Sequence, residues 1–593
     1  MTSQLRKLLP GENTRMLVIA TFIGLMAGLL NILFRTVVEL FENFFLHGGK
    51  ELLGVAQGGW HLLLLPLIPM LGMVLLIPLS LLFPGEINGY GLPKFLRKVN
   101  LEGGYIRART IFLKILSTAL TIGTGNSAGV EGPIAQIGGA MGSQVGQFFR
   151  VNSNRMKVYI AAGAAGGIAG MFNAPIAGVF FAAEIILLGT YEVRSFAALI
   201  TASAISTVVT RAYFGEANVF VIPHYDVVNY FVEIPLYCLL AVIIGLAAVL
   251  HLKIFYFIRD KYRTLPIPAQ LKPITGAFLV GLIAIFFPQV MADGYDYMES
   301  VLYGEGLTKV MFALIFLKML ATALTLGSGG AGGVFAPALF IGSMIGGTFG
   351  AIVNHLIPNM TSDSGAYASV GIGAFLAAST HAPMTAIFLL FEMTGNYLII
   401  VPAMLVSIIG TIVAKKFCED SIDTVDFSRE GINLHEGREV SIMKTLKVGS
   451  AITEDVDFIS EKANINQMLE IFAQAKSGFY FPVVNDRGRM VGIVSMSDIK
   501  SIIHRDTSER IAQTVGSICQ RNVITLTPDD SLYRAMQLFD IKGIEEIPVV
   551  ESLDDRWVVG MLKRRSVISA YNRQVLKKGI SEKVGSIRVA NPE

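Results

Sequence analysis

IFLKILSTALTIGTGNSAGVEGP, the stretch from Ile111 to Pro133, recurs as IFLKMLATALTLGSGGAGGVFAP from Ile315 to Pro337. The two copies agree at 14 of 23 positions and start 204 residues apart. A second pair, MFNAPIAGVFFAAE (171–184) and STHAPMTAIFLLFE (379–392), repeats an Ala-Pro step and a final glutamate 208 residues later. Glycine-interrupted apolar segments at matching places in two halves are typical of membrane transporters and channels built from inverted internal repeats.

The amino-acid composition places this duplication in a membrane. Of the 593 residues, 53% are hydrophobic and 16% are charged, whereas a soluble chain carries about 25% charged residues. Apolar runs long enough to cross a bilayer recur up to about residue 415, among them Leu62–Leu82, Tyr237–Phe255 and Leu398–Ala414. The sequence therefore predicts an all-α polytopic membrane domain over residues 1–416, with repeat halves at about 16–213 and 231–416.

The composition changes after Lys416, where charges become frequent and long apolar runs stop. This part carries a repeat of its own, because FPVVNDRGRMVGIVSMSDI (481–499) is echoed by IPVVESLDDRWVVGMLKRRSV (547–567). The pattern predicts two small α/β domains, at 446–505 and 512–575, which pack as a pair because each is too small to be robust alone. Residues 417–445 are predicted as a linker, and residues 576–593 as a C-terminal tail.

The same sequence disfavours several classes of function. Cys238, Cys418 and Cys519 are widely spaced, so they indicate neither a disulfide framework nor a metal site. The net charge of +3, with no basic tract, gives no sign of a nucleic-acid partner. An enzyme is disfavoured, and no cofactor is required, because the sequence has no metal-ligand, nucleophile–base or phosphate-loop motif. A cation channel would need clustered acidic side chains, whereas the glycine-rich breaks offer backbone amides and one carboxylate.

The glycine-rich breaks favour an anion site. An irregular backbone survives in hydrocarbon only where it lines a cavity enclosed by protein. Each break leads into a new helix, whose first N–H groups are unpaired and carry roughly half a positive charge. If the halves are inverted, both helix starts converge on the middle of the bilayer. A small anion bound between them would be held without a full positive charge, and this moderate grip suits conduction.

Glu131 in the first copy is replaced by Phe335 in the second. An ionisable residue in an apolar segment is a functional candidate, and the Glu131 carboxylate would occupy the anion's own place, which predicts a gate. The alternative is a carboxylate that caps helix amides without moving. Lys114 and Lys318 occupy equivalent positions and would either raise the local anion concentration or reach the membrane interface.

Four motifs resemble the CLC family of chloride channels and chloride/proton exchangers: GYGLP (89–93), GVEGP (129–133), GVFAP (333–337) and FEMTGNY (391–397). The resemblance covers nearly the whole membrane domain. It implies the CLC fold, a homodimer with one anion pathway per subunit, and chloride transport across the lipid of the cell (inner) membrane. Both termini and the C-terminal domains would be cytoplasmic, in line with the basic residues ahead of the first apolar run.

The resemblance also implies which residues line the anion pathway. Glu131 would be the external gate, and the N–H groups of Val334 and Phe335 would face the central anion. The anion-binding positions implied in this way are Gly89, Tyr90, Gly91, Gly129, Val130, Gly333, Val334, Phe335 and Ala336.

Four positions depart from the family pattern. Tyr90 stands where the family usually has serine, Asp423 falls at the inner-gate tyrosine, and Val130 replaces a common lysine or arginine. We hypothesise that the Tyr90 phenol replaces both lost hydroxyls. Because Tyr90 alters the position that sets anion selectivity, nitrate and bicarbonate stay open as alternatives to chloride. The proton-transfer glutamate of many exchangers falls on Ile185, which cannot relay protons. This favours a channel-like or loosely proton-coupled conductance, with a stoichiometric chloride/proton antiporter as the alternative.

The C-terminal repeats resemble paired CBS domains. GIVSMSD (492–498) resembles the ribose-phosphate motif of that family, which implies that Asp498 takes ribose hydroxyls while Ser495 and Ser497 approach phosphate. In the second copy, GMLKRRS (560–566), lysine and arginine replace the hydroxyls. The resemblance thus implies at most one orthodox half-site for ATP or another adenine nucleotide. The alternative is a purely structural dimerisation module.

Overall fold

A computed structural model of the chain divides it into two compact units, residues 1–426 and 427–593. The described residues are 12–87, 89–189, 193–216, 223, 225, 228–358, 360–434, 440, 443–444, 446–453, 456–474, 480–495, 498, 513–552 and 554–584.

The first unit is helical throughout the part that the structure describes. Seven of its described helices are long and apolar enough to cross a membrane, and three shorter apolar helices accompany them. Its helices are α1 (Glu12–Glu42), α2 (Gly48–Leu52), α3 (Leu67–Leu82), α4 (Leu92–Asn100), α5 (Arg109–Gly123), α6 (Glu131–Phe148), α7 (Ser153–Phe172), α8 (Pro175–Phe181), α9 (Val193–Phe214), α10 (Tyr230–Thr264), α11 (Lys272–Phe286), α12 (Tyr295–Leu302), α13 (Thr308–Ser328), α14 (Phe335–Leu356), α15 (Ser364–Thr380), α16 (Pro383–Thr394) and α17 (Ile400–Phe417).

The internal duplication is visible in how the helices pack. In the first half Gly138 of α6 lies against Gly163 of α7, and in the second half Gly342 of α14 lies against Gly371 of α15. In each pair, a Cβ on one glycine would overlap the carbonyl oxygen of the other. Only glycine allows such a close approach, and small residues serve this purpose at helix contacts in membranes.

The two halves cap each other's helices through the recurring glutamates. The Glu184 carboxylate accepts hydrogen bonds from the N–H groups of Met384 (3.1 Å) and Thr385 (2.8 Å) at the start of α16. The Glu392 carboxylate accepts those of Ile176 (2.9 Å) and Ala177 (2.8 Å) at the start of α8. An acceptor at a helix start satisfies amides that otherwise lack a partner. Each half thus supplies the cap that the other half needs.

The second unit contains two small α/β repeats. One sheet has the order β1 (Ile459–Ser460), β2 (Tyr480–Val484), β3 (Met490–Ser495), with β1 parallel to β2 and β2 antiparallel to β3. The other sheet pairs β4 (Glu546–Val550) and β5 (Val558–Lys563) antiparallel. Both hairpins have a register shift at the same place, between Val483 and Val484 and between Val549 and Val550. The elements are β1 (Ile459–Ser460), α19 (Ile465–Gln474), β2 (Tyr480–Val484), β3 (Met490–Ser495), α20 (Val515–Ile518), α21 (Leu532–Lys542), β4 (Glu546–Val550), β5 (Val558–Lys563) and α22 (Arg564–Val584), after a short helix α18 (Val425–Arg429).

The cores of the two repeats are completed reciprocally. Val448 and Ala451, which precede the first repeat's strands, are buried with the core of the second repeat. Val515, which follows the first repeat, is buried in the first core. Hydrogen bonds join Thr453 to Met561 in both directions, at 2.9 and 3.0 Å. The core of each repeat therefore includes residues that belong, in the sequence, to the other repeat.

Candidate functional site

The two glycine-rich breaks of the membrane unit lie side by side. α6 begins at Glu131 and α14 begins at Phe335, so each helix starts directly after its break. The N–H of Gly129 donates to the carbonyl of Gly333, and the N–H of Gly333 donates to the carbonyl of Gly129, both at 2.8 Å. The two helix starts therefore meet inside the unit, where Val130 and Val334 are buried.

A third segment completes this junction. The N–H of Gly89 donates to the carbonyl of Gly329 at 3.1 Å, and Tyr90 pairs with Gly332. Neighbouring residues in an extended segment turn their peptide groups to opposite edges. Gly129 and Tyr90 therefore lie on opposite edges of the Gly332–Gly333 segment.

Close backbone approach explains the glycines of the junction. A Cβ on Gly129 would lie 2.9 Å from the nitrogen of Ala336, and a Cβ on Gly132 would lie 3.2 Å from the Cα of Gly333. Any side chain at Gly129 would displace the start of α14. The junction thus keeps the starts of α6 and α14 in direct backbone contact.

Glu131 occupies this junction. Its side chain is fully buried, the Tyr295 hydroxyl donates to Oε1, and the Ala336 N–H donates to Oε2 at 3.1 Å. The carboxylate thus binds at the start of α14, which belongs to the other half of the repeat. A helix start that holds a carboxylate can hold a free anion in its place, so the arrangement allows competition between the two.

The half-buried Tyr90 and the buried Asp423 form a second tyrosine–carboxylate pair. The Tyr90 hydroxyl donates to Oδ1 of Asp423, whose residue is 1% exposed. The ring of Tyr90 meets that of Phe255 edge to face at 6.0 Å. Asp423 therefore faces the GYGLP segment and not the lipid.

Sequence reasoning did not single out Tyr295, although the repeat carried a signal for it. Gly294-Tyr295 is the counterpart of Gly89-Tyr90, 205 residues later. Both glycines have a left-handed backbone, with φ of 86° and 76°. Each tyrosine hydroxyl donates to a buried carboxylate, Tyr295 to Glu131 and Tyr90 to Asp423.

The two equivalent lysines have different surroundings, and neither is exposed. Lys318 is fully buried, and its Nζ donates to the carbonyls of Val290 (3.1 Å) and Ala292 (2.9 Å). It anchors the loop that precedes Tyr295. Lys114 is 6% exposed and lines a cavity of about 70 Å³ together with Lys94, Lys98, Gln136 and one carboxylate, Glu86.

The resemblance to chloride channels and exchangers implies that Lys114→Met reduces chloride flux, and we expect about a tenfold loss at low chloride concentration. Three lysines outnumber the one carboxylate, Glu86, in the cavity lining, and a surplus of ammonium groups concentrates anions. Lys309→Met is the matched control, since it removes an exposed lysine from the membrane unit. The measurement is chloride efflux from proteoliposomes as a function of chloride concentration. Equal efflux from the two variants would contradict the expectation.

Two further predicted residues, Phe335 and Ile185, have buried apolar side chains. Phe335 is 4% exposed and meets the ring of Phe181 at 5.8 Å, so its side chain packs between the halves. Ile185 is also buried and follows the capping Glu184 in a π-helical turn, Ala182–Ile186. It places no titratable group beside the junction.

The predicted nucleotide residues belong to the second unit. The Asp498 carboxylate accepts hydrogen bonds from the N–H and the hydroxyl of Ser495, both at 2.7 Å. Ser497 lies outside the described residues. In the second repeat Lys563 is 7% exposed and forms an ion pair with Glu546 at 3.6 Å, so it is not directed at solvent.

Comparison with known proteins identifies both units. The sequence profile of the family described as voltage gated chloride channel matches residues 71–415, and the CBS domain profile matches residues 448–505 and 515–573. The chain belongs to the CLC family of chloride channels and transporters. The sequence-based recognition of a CLC membrane domain followed by two CBS domains is therefore confirmed.

Individual CLC proteins agree with this assignment. The H(+)/Cl(-) exchange transporter ClcA of Vibrio campbellii is 31% identical over 413 residues, which cover 67% of this chain and 86% of the relative. The chloride channel protein CLC-f of Arabidopsis thaliana is 29% identical over 573 residues, covering 84% and 72%. A crystal structure of a slow cyanobacterial Cl−/H+ antiporter aligns with a TM-score of 0.63 at 25% identity, covering 70% and 97%. The predicted fold class is confirmed, and at the level of the family the function is CLC-type chloride transport.

Proposed function

We propose that this CLC chain exchanges chloride for protons and acts as an antiporter. The observation that carries the proposal is the position of Glu131, whose buried carboxyl group accepts the Ala336 N–H at the start of α14. This group can bind either a proton or that helix amide. Proton uptake and anion binding are therefore linked at one site.

The expected channel-like conductance gives way to its alternative. That expectation depended on Ile185, which cannot carry a proton. The relatives support the alternative, because the ClcA protein is named an exchange transporter and the cyanobacterial structure is that of an antiporter. One relative is named chloride channel protein CLC-f, but the findings taken together favour the exchanger over the channel.

The proposed cycle follows from competition at the junction. An ionised Glu131 carboxylate occupies the amide of Ala336 and excludes the anion, and the Tyr295 hydroxyl stabilises that state. Protonation removes the negative charge, so chloride takes the amides of both helix starts. Release of chloride lets Glu131 lose its proton and return. Because Glu131 takes the proton from one solution and releases it to the other, while chloride crosses in the opposite direction, each turn exchanges protons for chloride.

Proteoliposomes containing the purified full chain test the proposal. An outward chloride gradient alone is expected to drive proton uptake, followed with a pH electrode while the membrane potential is clamped with potassium and valinomycin. Chloride efflux without proton movement would overturn the antiporter assignment and favour a channel-like conductance. Bi-ionic measurements with nitrate or bicarbonate on one side rank chloride against the alternative anions.

We also propose how the protein assembles and how it is oriented in the membrane. The transporter is a homodimer in the cell (inner) membrane, with both termini and the CBS domains in the cytoplasm. The proposed boundaries remain residues 1–416 for transport, 417–445 for the linker, and 446–505 and 512–575 for the CBS domains.

The CBS pair is proposed to offer one half-site for an adenine nucleotide, at Ser495 and Asp498. Because Lys563 is engaged by Glu546, the second repeat contributes no matching site. We expect millimolar ATP to raise the melting temperature of the full chain and Asp498→Ala to remove that increase. Asp529→Ala, at a carboxylate in the other repeat, is the control. An unchanged melting temperature for the unmodified chain would favour a structural dimerisation module.

A further inference from the structure

We propose that Asp423, held by Tyr90, is the proton acceptor on the side of the anion pathway opposite to Glu131. This inference rests on the proposed antiport. An exchanger whose gate faces one solution needs a titratable group that delivers protons from the other. The resemblance to the family places its proton-transfer glutamate at Ile185, which cannot carry a proton, so a side chain that delivers protons lies elsewhere in the chain.

The hydrogen bonding of Asp423 suits a group that gains and loses a proton. Its Oδ1 accepts the Tyr90 hydroxyl. Its Oδ2 is buried and has no hydrogen-bond partner among the described residues. A buried carboxylate oxygen without a partner is costly when ionised, whereas protonation removes the charge. Oδ2 is thus the atom on which a proton would reside.

The charged neighbours of Asp423 are neutralised elsewhere. Arg259 donates two hydrogen bonds to the Asp426 carboxylate, at 2.7 and 2.6 Å. The Tyr256 hydroxyl donates to the carbonyl of Ile422 at 2.8 Å. Asp420, three residues earlier in the chain, accepts the Thr424 hydroxyl at 3.4 Å. Within the described residues, no cation forms an ion pair with Asp423.

Burial also favours the protonated form of the Asp423 carboxyl group. Asp423 lies beyond Phe417, where the last spanning helix ends. Burial raises the pKa of its carboxyl group to about 6, although the hydrogen bond from Tyr90 acts to lower it. The group is therefore able to change its charge near neutral pH.

In the internal repeat, the Tyr90–Asp423 pair is the counterpart of the Tyr295–Glu131 pair at the gate. Glu131 is bonded by Tyr295, and Asp423 is bonded by Tyr90, the equivalent tyrosine of the other half. Tyr90 and the gate segment lie on opposite edges of Gly332–Gly333. Asp423 precedes the second unit by only a few residues, which places it on the proposed cytoplasmic side.

The proposed transfer carries one proton from cytoplasmic water through Asp423 to Glu131. Oδ2 of ionised Asp423 takes a proton from cytoplasmic water and becomes neutral. The proton then passes into the pathway and is accepted by the Glu131 carboxylate, which leaves Asp423 ionised again. One proton leaves the cytoplasm and one reaches the other side, while chloride moves in the opposite direction.

Asp423→Asn is the direct test in proteoliposomes of the full chain. We expect chloride-driven proton uptake to fall at least tenfold, as for loss of a proton-transfer group, while chloride efflux remains. Asp420→Asn, which changes the neighbouring carboxylate, is expected to keep both fluxes. Asp423→Glu is expected to restore part of the proton uptake.

Tyr90→Phe provides an independent measurement that does not depend on Asp423→Asn folding. Removing the hydroxyl removes a hydrogen bond that lowers the pKa of Asp423. The pH profile of proton uptake should therefore move to higher pH, by about one unit.

The outcomes separate the two proposals. If the unmodified chain moves chloride but no protons, the antiporter assignment fails. If the unmodified chain couples the two ions and Asp423→Asn does so equally well, or if Tyr90→Phe leaves the pH profile unchanged, Asp423 is not the proton acceptor.

Discussion

Replacing Glu131 with glutamine is expected to stop chloride-driven proton uptake while chloride continues to cross the membrane. Glutamine keeps the size of the side chain but cannot bind or release a proton, and its neutral amide competes weakly for the Ala336 N–H. Loss of a proton-transfer group costs about 100-fold or more in the step it serves. Proton uptake and chloride efflux, measured on the same proteoliposomes, separate the two effects.

Glu392→Gln is the matched control for this experiment. Glu392 is also a carboxylate that accepts helix amides, but these belong to Ile176 and Ala177 at the start of α8 and not to the glycine junction. The variant should lose some stability and keep its coupling of protons to chloride. Coupled transport by Glu131→Gln would show that the carboxylate is only a cap, which is the structural alternative for this residue.

Gly163→Ala is expected to destabilise the membrane unit. A Cβ at this position would overlap the carbonyl oxygen of Gly138 and lie 2.7 Å from its carbonyl carbon, so α6 and α7 would have to separate. Overpacking of this kind costs about 1–3 kcal/mol. The measurement is the melting temperature of the detergent-solubilised full chain, together with the yield of folded protein.

Gly410→Ala in α17 is the control that separates the overlap at Gly163 from other effects of adding a methyl group. A Cβ there would meet nothing nearer than the carbonyl oxygen of Ala241, at 3.4 Å. Both substitutions gain helix propensity, about 1 kcal/mol each, so this gain cancels between them. A melting temperature of Gly163→Ala equal to that of Gly410→Ala would mean that the two helices do not pack this closely in the membrane.

The repeat allowed much of the architecture to be predicted. Because the two breaks share their motif, the sequence predicted that two helix starts would meet, and Gly129 and Gly333 are hydrogen bonded to each other. Their role in binding anions stays a prediction. The recurrence of Glu184 and Glu392 indicated a shared structural role, but the sequence did not show that each would bond the opposite half.

The remaining features depend on long-range contacts for which a single sequence has no periodic signal. The Tyr90–Asp423 hydrogen bond joins residues 333 positions apart. Nor does equal sequence guarantee equal surroundings: Lys318 binds two carbonyl groups, whereas Lys114 lines a cavity. The loop before α12 decides that difference, and its conformation follows from packing rather than from a motif.

The crossed glutamate caps have a consequence for the origin of the chain. A half-length ancestor with only one copy of each motif would have left the first amides of its α8-like helix without an acceptor inside hydrocarbon, where such groups cost several kcal/mol. It could satisfy them by associating with a second copy, whose glutamate would supply the missing acceptor. Gene duplication and fusion would then have joined two subunits that already associated, and we expect separately expressed halves to associate.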